Sequence, residues 1–150
     1  MNLEEYYKIV RGKDNLKLYF DVKELVPEKV FQRFGDMSIR YIDPYILADI
    51  NKLRHNLGLP ITINNWAWGG KFHNRGFRPR TYTASKAVYG LHYLGKALDF
   101  DVKGMSADAV RHYIIDNRTD YPNITVLEAN TSWVHADSRV VVDDTYIQLV

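Results

Sequence analysis

The chain has no cysteine among its 150 residues. Disulfide frameworks, thiolate nucleophiles and cysteine-ligated zinc are therefore excluded, and any metal must be held by histidines and carboxylates. A strong charge of one sign is lacking too, since 20 Lys and Arg stand against 18 Asp and Glu. That excess is too small to argue for nucleic acid, which wants a strongly basic, clustered face. Long apolar runs are missing. The opening stretch, MNLEEYYKIVRGKDN, is charged and has the character of neither a secretory signal nor a membrane anchor. There is no internal repeat, low-complexity tract or linker. At this length the expectation is one domain over residues 1–150, with residues 1–30 as an N-terminal arm.

What is present begins with a strong helix signal in DPYILADINKLRHNLG. Asp43 can cap it and Pro44 suits its first position. Ile46, Leu47, Ile50, Leu53 and Leu57 recur at helical spacing, and Gly58 closes it. His55, near its end, reads as a surface histidine favoured by the helix dipole. Further helices are expected over LEEYYKIV, PEKVFQRFG and MSADAVRHYIIDN, the last capped by Ser106. Strands are expected in LKLYFDV, ITINNW, residues 97–102, NITVLEA and SWVHADSRVVV, with DDTYIQLV as an edge. Helices and strands mix without a βαβ rhythm. The expected class is α+β, a small antiparallel sheet with flanking helices.

Residues 69–90 form a long stretch rich in Gly, Arg, Asn and Thr, of the kind that is usually functional or mobile. Its basic cluster, KFHNRGFRPR, reads equally as a phosphate-binding loop, a substrate-carboxylate clamp or a solvated loop.

The stretch GLHYLGKALDFDV carries the chemistry. Alternation puts Leu98, Phe100 and Val102 on one strand face, and Ala97, Asp99 and Asp101 on the other. The apolar face must be core, so Asp99 points away from it. Gly95 lets the backbone turn so that His92 and Asp99 converge. In SWVHADSR, Trp133, His135 and Asp137 share a face, and pairing with the 97–102 strand would set His135 beside Asp99. Two imidazoles and one carboxylate make a three-ligand set for Zn²⁺, with a fourth position left for water. Each residue alone has an ordinary alternative as a strand, turn or sheet-face residue.

At these residues the chain resembles the M15 family of zinc D-Ala-D-Ala carboxypeptidases and related peptidoglycan peptidases. The family's His, six residues, Asp, then late His on a strand is matched by HYLGKALD and WVHAD. PITINNWAWGG and RGFRP are similar to its upstream strand and glycine loop, and FDVKELVPEKVFQRFG to the N-terminal arm of phage-type members. The resemblance implies a hedgehog/DD-peptidase-like fold, with His92, Asp99 and His135 as zinc ligands. It also implies that Arg78 positions the substrate carbonyl or carboxylate. Gly90 replaces the family's usual Ser, and Ser132 stands where many members carry the catalytic acid. Glu128 is the expected general base in its stead, brought beside His135 by hairpin geometry. Asp137 is a second candidate, or a residue that orients a ligand. Trp66, Trp68 and Trp133 are candidates for a substrate groove or for core packing.

The function so implied is zinc-dependent hydrolysis of amide bonds in peptidoglycan stem peptides or cross-links, with no nucleic-acid or membrane partner. A phage- or prophage-encoded protein acting at the bacterial cell wall, or a cytoplasmic protein, would fit a charged N-terminus without the character of a secretory signal. The alternatives are a zinc-stabilised binding module without turnover, and a metal-free interaction protein.

Overall fold

The computed structural model describes residues 1–80 and 90–150. Part of the expected loop, residues 81–89, lies outside the described residues. The central helix, α3 (Pro44–Leu57), forms as its sequence dictates. The Asp43 side chain accepts the Tyr45 N–H, Pro44 occupies the first turn, and Gly58 ends the helix in the left-handed conformation. Its stripe of Ile46, Leu47, Ile50 and Leu53 is fully buried. Helix α1 (Leu3–Arg11) packs on α3 through Tyr6 and Val10, and the Tyr6 hydroxyl donates to the Ile42 carbonyl. Helix α2 (Glu28–Phe34) is short, with Pro27 as its N-cap and Gly35 ending it. Helix α4 (Ala107–Asp116) starts on the Ser106 cap and buries Val110 and Ile114.

Five strands make one sheet: β1 (Ile61–Thr62), β2 (Ala97–Val102), β3 (Val126–Leu127), β4 (Val134–Asp137) and β5 (Gln148–Leu149), in the order β1-β2-β4-β3-β5. The class is α+β. The sheet is mixed rather than antiparallel. The chain leaves β4 and passes to the far side of β3, so β5 runs opposite to β4 and therefore parallel to β3.

Several strands are shorter than alternation predicts. LKLYFDV is not a strand. The Asn51 side chain accepts the Tyr19 N–H at 2.8 Å and donates to the Lys17 carbonyl at 2.9 Å, standing in for a neighbouring strand. Only Ile61 and Thr62 of ITINNW pair with β2, because Asn64 bonds to Glu24 and Trp66–Trp68 curls into a 3₁₀ turn. In NITVLEA the strand is Val126–Leu127 alone. The last long run stops at Asp137, and Val140 and Val142 are fully exposed.

One apolar cluster runs from Tyr6 to Ile147 and takes in Phe20, Leu25 and Val26. The first thirty residues thus contribute to the core. Among the described residues, no helix is long and apolar enough to cross a membrane.

Candidate metal centre

Strands β2 and β4 pair in a register that sets Asp99 opposite His135. Directly opposed residues share a sheet face, so both side chains rise on the side away from Leu98, Phe100 and Val134, which are buried in the core. His92 reaches the same point from the turn before β2. Gly95 makes that turn possible: its φ is +70°, and a Cβ there would lie 1.9 Å from the Tyr41 carbonyl oxygen.

The two rings are held differently. Nδ1 of His92 donates to the Gly76 carbonyl at 2.9 Å, which leaves Nε2 facing Asp99 Oδ2 at 3.3 Å. His135 sets Nδ1 at 2.7 Å from Asp99 Oδ1 and Nε2 at 2.9 Å from Asp137 Oδ2. Asp137 is fully buried, and both of its oxygens also accept from the Arg139 guanidinium. One ligand atom each from His92, Asp99 and His135 lies within 4.8 Å of the others. The outer nitrogen of each ring has an acceptor, one a backbone carbonyl and the other a carboxylate. That is the support metal-ligating histidines ordinarily have. The donor set fits a metal ion, and this group could hold one.

The electrostatics follow from these hydrogen bonds. Burial pushes the Asp99 carboxyl up, but hydrogen bonds from His135 and His92 outweigh it and hold Asp99 well below the usual carboxylate range. Burial pulls His135 down, but its bonds to Asp137 and Asp99 prevail and raise it to about 9. Burial likewise opposes ionisation of Asp137, and His135 and Arg139 overcome it.

Other candidate residues fall around this centre. Arg78 donates from Nη2 to Asp99 Oδ2 at 3.0 Å and from Nε to the Asn74 carbonyl at 2.7 Å. The Glu128 N–H donates to the His135 carbonyl at 3.1 Å, so Glu128 is the cross-strand neighbour of His135 and shares its face. Trp133 is 38% exposed just before β4. Trp66 donates its indole N–H to the Val26 carbonyl at 2.9 Å and packs beside Phe31, which ties it to the N-terminal segment. Trp68 is exposed.

Three participants carried no signal in the sequence. The Gly76 carbonyl orients the His92 ring, and Arg139 fixes the Asp137 carboxylate that in turn holds His135. Arg111, 4% exposed, donates to the carbonyls of Glu128, Thr131 and Trp133, and so moulds the turn joining β3 to β4. An arginine beside the apolar stripe of a helix looks like any surface cation until the turn it serves is known.

No family model, no curated protein and no solved structure matches the chain.

Proposed function

We propose that His92, Asp99 and His135 hold a zinc ion, and that the protein is an M15-type peptidase with a hedgehog/DD-peptidase-like fold. Its substrates on this reading are amide bonds in peptidoglycan stem peptides or cross-links, met by a phage- or prophage-encoded enzyme at the cell wall. The observation that carries the reading is the convergence of three ligand atoms within 4.8 Å, from a His-x₆-Asp turn and strand and from a late strand histidine.

Zinc, when bound, supplies Lewis acidity that polarises a carbonyl and makes water a nucleophile near neutral pH. Glu128, beside His135, takes the proton of the attacking water on its carboxylate and returns it to the leaving nitrogen. Asp137 is unsuited to that task, because His135 and Arg139 already engage both of its oxygens. Its work is to hold the His135 ring. Arg78 offers a charge-assisted donor to the oxygen that gains negative charge, and its bond to Asp99 keeps the guanidinium at the centre. Trp133, 38% exposed and two residues before His135, is an aromatic residue available to contact the peptide.

Ser132 favours a second reading, a zinc-stabilised module that binds cell wall without turnover. Both are tested by incubating purified muropeptides with the protein as isolated, after chelation, and after zinc is restored, with metal content measured alongside. The expected result is zinc near one per chain, and cleavage lost and regained with it. Cleavage that survives chelation overturns the zinc mechanism. Bound zinc with muropeptide binding but no product selects the second reading.

A further inference from the structure

A second feature adjoins the centre. Between α2 and residues 73–80 lies a groove of ≈ 790 Å³. Its floor is a run of touching rings. Phe34 meets Tyr41 edge-on at 5.6 Å, and Tyr41 stacks on Phe77 at 4.7 Å. Its rim is cationic, with Lys29, Arg33 and Arg80 joined by His73 and opposed by Glu28 alone. Among the described residues, none of the three cations forms an ion pair. Arg33 and Arg80 lie instead over the rings of Phe34 and Tyr93, at 5.1 and 4.9 Å. Such guanidinium groups keep their in-plane donors available to a carboxylate.

The groove and the metal centre share one stretch of chain. Asn74 and Phe77 line the groove, while the Asn74 carbonyl holds Arg78 against Asp99 and the Gly76 carbonyl holds His92. Residues 74–78 are thus common to the wall of the groove and the support of the centre.

We infer that this groove binds an acidic segment of the peptide substrate, with a substrate carboxylate on Arg33 and Arg80 and apolar portions over Phe34 and Tyr41. The inference rests on the peptidase reading of the centre. An unstructured single-stranded nucleic acid is the competing anion. The floor disfavours it, because Phe77 is 7% exposed and stacked beneath Tyr41, which leaves no series of open ring faces for successive bases.

The test uses the full chain as purified and two synthetic stem peptides, L-Ala-γ-D-Glu-L-Lys-D-Ala-D-Ala and the same peptide with its free glutamyl carboxylate amidated. Affinity is measured by calorimetry at low salt, over times for which mass spectrometry shows the peptide intact. The acid form is expected to bind roughly fivefold more tightly, the effect of about one exposed charge pair. Replacing both cations (Arg33→Gln with Arg80→Gln) should erase that preference while leaving the melting temperature and zinc content unchanged. Equal binding of acid and amide overturns the inference, as does a preference that survives the double replacement, or tighter binding of oligothymidylate than of the acid peptide. Failure here is separable from failure of the peptidase reading. Hydrolysis of both peptides without preference sinks the groove alone. A charge preference in a chain that never hydrolyses either peptide sinks the peptidase alone.

Discussion

Two buried aspartates sit in different parts of the molecule, and their carboxyls are shifted in opposite directions. Asp99, on β2, is 7% exposed; Asp49, on α3, is 3% exposed. Burial pushes both carboxyls up. Around Asp99 stand two imidazoles and the Arg78 guanidinium, and the imidazole bonds bring it far down. Around Asp49 the donors are the neutral side-chain amide and N–H of Asn123 and the N–H of Ile124, with a weaker pull from Lys52, and it remains raised, at about 6. Equal burial therefore says little about a carboxylate's task. The company of cationic or protonatable partners marks Asp99 as a centre for charge, whereas Asp49 ties the 123–124 segment to a helix.

The sharpest way to break this comparison is metal content. Asp99→Ala should reduce bound zinc to near zero by mass spectrometry of the purified protein, while Asp49→Ala keeps it near one per chain; loss in both would erase the distinction. The next largest effect is catalytic. Glu128→Gln should lower kcat on muropeptides by roughly 10²–10⁴ while zinc content stays intact, and full activity in that variant would move the base elsewhere. Urea unfolding of Asp49→Ala should show a loss of roughly 1–3 kcal/mol, because the donors from Asn123 and Ile124 lose a buried acceptor.

The smallest effect is a pH slope. Asp49 holds its proton more tightly folded than unfolded, with values of about 6 and 3.8. The stability it contributes is fully present below the lower value and is lost as pH rises through about 6, by at most about 1.4 kcal/mol per pH unit. Asp49→Asn should flatten that part of the stability profile. An unchanged slope would assign it to another group.

The sheet face of the centre was legible because alternation is local. Leu98 and Phe100 against Asp99, and Val134 and Ala136 against His135, can be read from neighbours in the chain, and the β2–β4 register then joins the two faces. Gly95 was legible for the same reason, as the one residue between His92 and Asp99 that tolerates its φ. What stayed hidden depends on distant partners. Nothing in LKLYFDV indicates that Asn51 will replace a strand neighbour. Nothing in RGFRP indicates that the Gly76 carbonyl rather than a side chain will orient His92. The parallel placement of β5 depends on the course of residues 138–147, which alternation does not encode.

Gly76 also limits how far the loop beside the centre can be varied. A Cβ at this position would lie 2.1 Å from the Leu25 carbonyl oxygen, while Phe77 accepts its own restraint by donating its N–H to that same oxygen at 2.9 Å. Backbone packed on backbone cannot move aside as a side-chain tip can. A library that randomises residues 71–80 to change substrate preference must therefore leave position 76 as glycine. The neighbours can be recoded, but the point at which the loop clips onto the N-terminal third of the chain is closed to every other residue.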